Sequence, residues 1–171
     1  MQKMTSAYAS KLLRSLEEDK VFWVNKENES STYVVAIGEE PVIPEYDYAE
    51  VAQNISELDE KIAIIKHALN LSNATARIPV GEVEMSVDAI LIRMAQLNKR
   101  KLILDNMRKR LPKVREEMSS YISRKAVPEY RYINYDLDLV KKDYETVSRK
   151  IMEMQMALDK YNQTVEFDVD I

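Results

Sequence analysis

Carboxylates and a single histidine are present in this sequence, but their spacing forms no catalytic or metal-binding pattern. The chain has 29 Asp and Glu residues, one histidine and no cysteine. His67 lies off the apolar stripe of its predicted helix, and the nearest carboxylates on its N-terminal side are Asp59 and Glu60. Because it lies off that stripe, we expect His67 to face solvent. A metal site needs several convergent ligands, and no second histidine lies at helical spacing from His67. We therefore predict no catalytic residue, no metal site and no bound cofactor.

Motifs that would indicate an enzyme are also missing from the sequence. No carboxylate forms a Glu-x-x-His pair, the pattern of di-iron helical bundles. There is no glycine-rich phosphate loop and no nucleophile elbow. The absence of cysteine excludes disulfides, thiolate nucleophiles and cysteine zinc sites. An enzyme with a carboxylate site between subunits is kept as an alternative, and it predicts strongly shifted acids in a shared cleft.

The charged residues form two blocks of opposite sign. The segment 39–60 contains eight acids and no lysine or arginine, whereas 93–115 contains nine bases and one acid, Asp105. Clustered bases along a helix can neutralise nucleic-acid phosphates. The basic block could bind nucleic acid, bind an acidic protein partner, or pair with the acidic block inside the chain. Of these three interpretations we favour the internal pairing. A basic patch open to a partner would consist of Lys99, Arg100, Lys101, Arg108, Lys109 and Arg110.

Tyrosines are frequent near both blocks and could stack nucleic-acid bases. A tyrosine more often covers a strand or subunit contact, because its ring is apolar and its hydroxyl is polar. We therefore favour a packing role for Tyr46, Tyr48, Tyr130, Tyr132 and Tyr135.

The strongest signal in the sequence is two apolar seams whose members are alternately three and four residues apart. This spacing averages about 3.5 residues and places each seam on one narrow stripe of a helix. A narrow stripe favours packing against another helix over burial in a broad core. The first seam is Val51, Ile55, Leu58, Ile62, Ile65 and Leu69, and the second is Leu137, Val140, Tyr144, Val147, Ile151, Met154, Leu158 and Tyr161.

Caps and breakers indicate where the helices begin and end. Asp47, Ser86 and Asp136 are expected to accept hydrogen bonds from the free amides at helix starts. All five prolines fall between the periodic segments, where helices are expected to break. The predicted helices cover 6–27, 47–72, 86–111 and 136–162.

The predicted strands are short. Gly81, which lies between two β-like pieces, indicates a small hairpin. The alternation of 164–171 indicates a half-buried terminal strand, and its expected partners are 32–37 and 129–135, from the same chain or a second copy. The segment 113–123 fits either a helix or a loop.

We expect the second and third helices to fold back on each other near residue 80. Such a hairpin would place the acidic block beside the basic block, where ion pairs set direction and register. The predicted fold class is mainly α, with an antiparallel long-helix hairpin in a three- or four-helix bundle and a small β element. The chain would form one elongated domain with the parts 1–46, 47–111 and 112–171.

Three segments carry a resemblance to a known family: 62–75 (IAIIKHALNLSNAT), 85–107 (MSVDAILIRMAQLNKRKLILDNM) and 133–165. Through them the chain resembles an uncharacterised bacterial helical-hairpin family, some members of which are labelled septicolysin. The resemblance covers about residues 47–171 and departs from the family at Arg93-Met94, where an Arg-Asp pair is usual. It implies a coiled-coil fold and self-association, and it supplies no activity.

These observations favour a structural or interaction protein that is not an enzyme and that forms a homo-oligomer through its seams. One short chain can hardly supply both a covering helix for each seam and a partner for an exposed strand edge. The alternative function is a nucleic-acid-binding module that uses the segment from Arg93 to Arg115, and we rank nucleic acid below a second copy as a partner. The N-terminus lacks the apolar core of a signal peptide, and the aliphatic runs are too short for a membrane span. We therefore expect a cytoplasmic protein without a membrane partner.

Overall fold

The computed structural model describes residues 1–116 and 127–171, and within them the chain is mainly helical. The predicted class, mainly α with a small β element, is confirmed. The helices are α1 (Ser6–Ser30), α2 (Tyr48–Thr75), α3 (Val87–Arg108) and α4 (Leu137–Thr164). The strands are β1 (Gln2–Thr5), β2 (Arg77–Val80), β3 (Val83–Ser86), β4 (Lys113–Arg115), β5 (Tyr130–Tyr132) and β6 (Glu166–Val169).

Side-chain caps begin three of the four helices, and at α1 the Thr5 hydroxyl accepts from the Tyr8 amide at 3.2 Å. The Asp47 carboxylate accepts hydrogen bonds from the second and third amides of α2 at 2.8 and 3.3 Å. Asp136 accepts from the second and third amides of α4 at 2.8 and 3.1 Å. Both predicted N-caps are confirmed. Ser86 occupies the N-cap position of α3, but its hydroxyl donates to the Asp88 carboxylate and makes no cap hydrogen bond.

The helices pair as two antiparallel hairpins that meet at one junction. α1 packs along α2, and α3 packs along α4, whereas contacts between the two pairs are far fewer. At the junction the four helix ends surround a pocket lined by Ser6, Leu69, Val87 and Leu158, among others. We call this junction the hub, the α1–α2 hairpin (6–75) the acidic arm, and the α3–α4 hairpin (87–164) the basic arm.

Two separate clusters of buried side chains stabilise the arms. Burial of one aliphatic side chain contributes about 1.5–3 kcal/mol, so each cluster outweighs many exposed ion pairs. Because each arm has its own core, apolar packing decides which helices pair. The cluster of the acidic arm contains Met4, Ala9, Leu13, Ile62, Ile65 and Val169, and that of the basic arm contains Ile78, Val87, Ile90, Leu97, Met154, Leu158 and Tyr161.

The terminal strand β6 has a partner that the sequence does not predict. It pairs antiparallel with β1, with Met4 opposite Phe167 and Gln2 opposite Val169. The partners expected for this strand, 32–37 and 129–135, are therefore wrong. Met4 and Val169 are buried, so apolar side chains from the two ends of the chain hold the pair together. Residues 2–5 are too few and too polar to show an alternation in the sequence.

The other strand predictions have mixed outcomes. The hairpin at Gly81 is confirmed: β2 pairs antiparallel with β3, and Gly81 has a φ of 60°, which glycine adopts readily. The segment 32–37 forms no strand, and all its side chains are exposed. Its β-branched residues favour a strand only when a neighbouring strand covers them, and the described part of the protomer offers none there.

The segments at the far end of the basic arm form a third strand pair. The segment 129–135 contributes β5, which pairs antiparallel with β4. The sequence predicts either a helix or a loop for the segment 113–123. Its first residues form the strand β4 instead, and residues 117–123 lie outside the described residues.

The predicted fold-back of the second helix along the third is wrong beyond the hub. α2 lies along α1 instead, with Asp59 2.6 Å from Lys20 and Glu17 2.7 Å from Lys66. Among the described residues no ion pair joins the acidic block to the basic block. The physical reason is that an exposed ion pair contributes at most about 1 kcal/mol, less than one buried aliphatic side chain.

Candidate functional site

Both predicted seams pack against another helix of the same chain. The first seam faces α1, and the second faces α3, so no second copy is needed to cover them. The geometry therefore assigns the fourteen seam residues to packing within the protomer. Val51, Ile62, Ile65, Val140, Met154, Leu158 and Tyr161 are buried, and Ile55, Leu58, Leu69, Leu137, Tyr144, Val147 and Ile151 are half-buried.

The single chain exposes far more surface than a compact protein of its mass. Its accessible area is 13234 Å², whereas a compact monomer of 19.9 kDa has about 8,700 Å². If the largest area that the ten residues 117–126 could expose is deducted, about 1,700 Å², the excess is still about 2,800 Å². This excess makes the exposed surface the candidate functional site.

Large apolar side chains lie on that surface, outside both seams. In the segment that connects α1 to α2, Val34 and Ile37 are 98% and 107% exposed. On the outer face of α3, Ile92, Leu102 and Ile103 are 60%, 65% and 51% exposed. Exposed aliphatic groups that adjoin one another, as Leu102 and Ile103 do on α3, are typical of an interaction surface.

An apolar groove lies where the outer face of α2 meets β6. Its volume is about 720 Å³. Ile64, Ala68 and Leu71 of α2 and Phe167 of β6 supply apolar lining, and the polar lining includes His67, Asp168 and Asp170. We call it the α2–β6 groove. It combines an apolar floor with negative charge, which suits a partner surface that is apolar and basic.

The residues of the groove were not predicted as a site. Ile64, Ala68 and Leu71 are four and three residues apart, so they form a second apolar row on α2 beside the first seam. This row was the available sequence signal. The remaining lining comes from β6, whose position depends on its unexpected pairing with β1.

Part of the predicted basic patch pairs within its own helix end. Arg108 Nη2 lies 2.7 Å from the Asp105 carboxylate, and Lys109 contacts the same carboxylate. Hydrogen bonds from Lys109 and Arg108 lower the pKa of Asp105, and Asp105 raises the pKa of Arg108. The Arg108 guanidinium and the Lys101 ammonium lie 4.0 and 5.7 Å from the ring centre of Tyr144. These cations are partly neutralised by neighbours on the basic arm.

The rest of the basic patch is open. Lys99, Arg100 and Arg110 are exposed, and no carboxylate of the described residues lies within ion-pair distance of them. Lys99 lies between Ile92 and Ile103 along the outer face of α3, so exposed bases and exposed aliphatic groups alternate there.

A second group of cations lies on the β4–β5 hairpin beside exposed tyrosines. Lys113 lies opposite Tyr132, and Arg115 lies opposite Tyr130, which places all four side chains on one face of the strand pair. Lys113 Nζ lies 4.1 Å from the ring centre of Tyr130 and 5.5 Å from that of Tyr132. Such a face can contact phosphates through its cations and stack bases on its rings.

The two described carboxyls whose pKa is lowered, Asp88 and Asp105, do not lie together. His67 is exposed, as predicted. The pKa of Asp88 is lowered because the Ser86 hydroxyl and the Ala89 amide donate to it. Asp88 and Asp105 lie near opposite ends of α3, about 25 Å apart along the helix, so they share no cleft.

Metal-binding clusters and membrane-spanning helices are both absent from residues 1–116 and 127–171. No group of three or more metal-ligating side chains there could hold a metal ion. None of the helices in these ranges has both the length and the apolar content that crossing a membrane requires.

Comparison with known proteins relates the fold to a solved structure without assigning an activity. No family model matches the chain, and no curated protein matches it. The fold is similar to the crystal structure of a functionally unknown conserved protein from Corynebacterium diphtheriae. The TM-score is 0.65 at 14% sequence identity, and the match covers 98% of this chain and 100% of the other. At this identity the similarity shows the fold alone.

Proposed function

We propose that this protein is a non-enzymatic structural or interaction protein that self-associates. The observation that carries the proposal is the accessible area of the single chain, 13234 Å², against about 8,700 Å² for a compact monomer of equal mass. An isolated subunit of a stable oligomer has such an excess, because the surface that its partners cover is counted as exposed.

The chemical character of the excess surface favours an interface over a merely elongated monomer. An elongated monomer needs polar outer faces on its helices. Here Ile92, Leu102 and Ile103 project from the outer face of α3, and Met152 and Met156 project from α4 at 63% and 67% exposure. A second copy would remove these apolar groups from water, which is the main driving force of association.

The available area is sufficient for a stable contact. A standard interface covers about 800 Å² on each partner, and the excess after the deduction above is about 2,800 Å². The surfaces proposed for self-association differ from the seams predicted from the sequence, because the seams are already covered within the protomer. We propose that the exposed faces of the arms form the contact instead.

Light scattering coupled to size-exclusion chromatography tests the proposal, because it measures mass independently of shape. We expect a mass of at least twice 19.9 kDa at micromolar concentration. An elongated monomer would elute early but scatter as 19.9 kDa. A monomeric mass at all loadings from about 1 to 100 μM would refute the proposal, since any self-association would then be weaker than about −5.5 kcal/mol.

A second candidate function, nucleic-acid binding, is favoured by two observations. The basic block does not pair with the acidic block, which removes the reason to assign it to internal pairing. The β4–β5 hairpin also presents Lys113 and Arg115 beside Tyr130 and Tyr132, as a single-strand-binding surface would.

Fluorescence anisotropy with a labelled single-stranded oligonucleotide tests the second candidate. Binding through this surface should be detectable at about 50 mM salt and should weaken steeply as salt increases. The double variant Lys113→Glu, Arg115→Glu should abolish it, whereas Lys11→Glu, Arg14→Glu on α1 is the matched control and should not. No binding at about 50 mM salt, or equal loss in both variants, would exclude this function for the hairpin.

A further inference from the structure

We infer that two copies of the chain pair side by side in opposite directions, so that the acidic arm of each lies along the basic arm of the other. In this pair the outer face of α3 occupies the α2–β6 groove of the second copy. The inference rests on the self-association proposed above and identifies the surfaces that produce it.

The arms have opposite charges that are not neutralised within the protomer. The acidic arm contains 13 acids and 6 bases, and the basic arm contains 17 bases and 11 acids. No ion pair among the described residues joins one arm to the other. Glu57 and Glu60 on α2 are exposed, as are Lys99 and Arg100 on α3. A second copy in the opposite direction supplies each arm with the opposite charge.

The two surfaces also match in polarity. The α2–β6 groove contains Ile64 and Leu71. The outer face of α3 presents Ile92, Leu102 and Ile103. At about 1.5 Å per residue the α2 lining of the groove extends about 18 Å from the hub, so the groove can cover Ile92 at about 8 Å, whereas Ile103 at about 24 Å lies beyond it. Apolar contact in the centre with charges at the edges is the usual composition of a protein interface.

Distances from the hub agree along the two arms. At about 1.5 Å per residue, Leu71 lies about 6 Å from the hub end of α2, and Ile92 lies about 8 Å from the hub end of α3. By the same measure, Glu60 lies about 22 Å and Arg100 about 20 Å from those ends. When the hubs of two antiparallel copies are level, Ile92 therefore faces the groove near Leu71, and Arg100 faces Glu60.

A two-fold axis makes the same contact occur twice. In such an interface residue i of one copy contacts residue j of the other, and residue j of the first contacts residue i of the second. The pair therefore contains two contacts between an acidic and a basic arm. A parallel pair would bring like arms together, and repulsion between like charges opposes it.

Charge-swap variants test the inference. The acid-reversed variant carries Glu57→Lys and Glu60→Lys, and the base-reversed variant carries Lys99→Glu and Arg100→Glu. Each variant alone has like charges at both contacts, so its dissociation constant should increase at least about tenfold at about 50 mM salt. An equimolar mixture has opposite charges at both contacts, so it should associate with near wild-type affinity.

Light scattering measures the affinities, and native mass spectrometry shows whether the mixture contains one copy of each variant. The matched control is Lys11→Glu with Arg14→Glu, which changes the net charge as the base-reversed variant does but makes the acidic arm more acidic. The control should associate at least as tightly as the wild type. Restored association in the mixture also shows that both variants are folded.

The outcomes separate the inference from the proposed function. Wild-type affinity in both reversed variants, or a mixture that associates no better than its components, would overturn the antiparallel pairing and leave self-association standing. Weakening of the control to the level of the base-reversed variant would also overturn it, since net charge would then be the cause. A wild-type chain that is monomeric throughout would overturn both proposals.

Discussion

The hydrogen bond between Ser72 and Tyr161 joins the acidic arm to the basic arm at the hub. Ser72 Oγ and Tyr161 Oη lie 2.7 Å apart and come from α2 and α4. Tyr161 is 2% exposed, whereas Ser72 is half-buried. The two substitutions that remove this bond should therefore have unequal effects on the free energy of unfolding.

The magnitudes follow from what each substitution leaves behind. Tyr161→Phe leaves the Ser72 hydroxyl, which can reach water, so the cost should be the net value of one hydrogen bond, about 0.5–1.5 kcal/mol. Ser72→Ala leaves the tyrosine hydroxyl buried without its partner, which costs about 1–3 kcal/mol, reduced by the slightly higher helix propensity of alanine. The loss of free energy of unfolding in the double variant should be about 1 kcal/mol smaller than the sum of the two single losses.

Urea denaturation followed by circular dichroism gives the four free energies of this cycle. Protein concentration is held constant, because self-association would itself change apparent stability. In thermal scans each 1 kcal/mol should correspond to about 2–4 °C in a domain of this size. Additive effects, or a greater cost for Tyr161→Phe than for Ser72→Ala, would refute the contact and with it the described position of α4 against α2.

Three further predictions concern a core residue, two helix caps and one carboxyl. Ile65→Ala, at a side chain with 0% exposure, should lower the free energy of unfolding by about 2–5 kcal/mol in urea titrations, whereas Val21→Ala, at 57% exposure, should change it by less than about 0.5 kcal/mol. Asp47→Ala should lower the free energy of unfolding by about 1 kcal/mol. Ser86→Ala should lower it clearly less, because of these two residues only Asp47 makes a cap hydrogen bond. Equal losses in denaturation midpoint would contradict this. Because the pKa of Asp105 is lowered, its ionised carboxylate stabilises the folded state above the ordinary Asp pKa of about 3.9. This stabilisation is lost as pH falls through the lowered value. Asp105→Asn should therefore lower Tm at pH 7, and a Tm difference that did not shrink below about pH 4 would contradict the assignment.

Local features of the fold were predictable because neighbouring residues determine them. The carboxylates of Asp47 and Asp136 cap helices whose free amides are only two or three residues away. Gly81 permits the tight turn between β2 and β3, where a positive φ is required. The period of each seam showed correctly which side of α2 and of α4 is covered, because periodicity follows directly from helix geometry.

The candidate site could be predicted only in part. The exposed bases of α3 and the acids of α2 are visible as two blocks in the sequence, and most of their residues remain on the surface. The α2–β6 groove was not visible, because Phe167 reaches α2 only after β6 has paired with β1 at the other end of the chain.

The amino-acid sequence by itself determined the helices, the caps of α2 and α4, the turn at Gly81 and the covered side of α2 and α4, since all of these depend on contacts within a few residues. The tertiary structure alone decided that α2 pairs with α1 and not with α3. The matched charge blocks indicated the opposite, but charge matching at the surface contributes about 0–1 kcal/mol per pair, and burial of apolar side chains in a core contributes several times more. Which helix completes that core depends on residues that are far apart in the sequence, and no spacing within one segment predicts it.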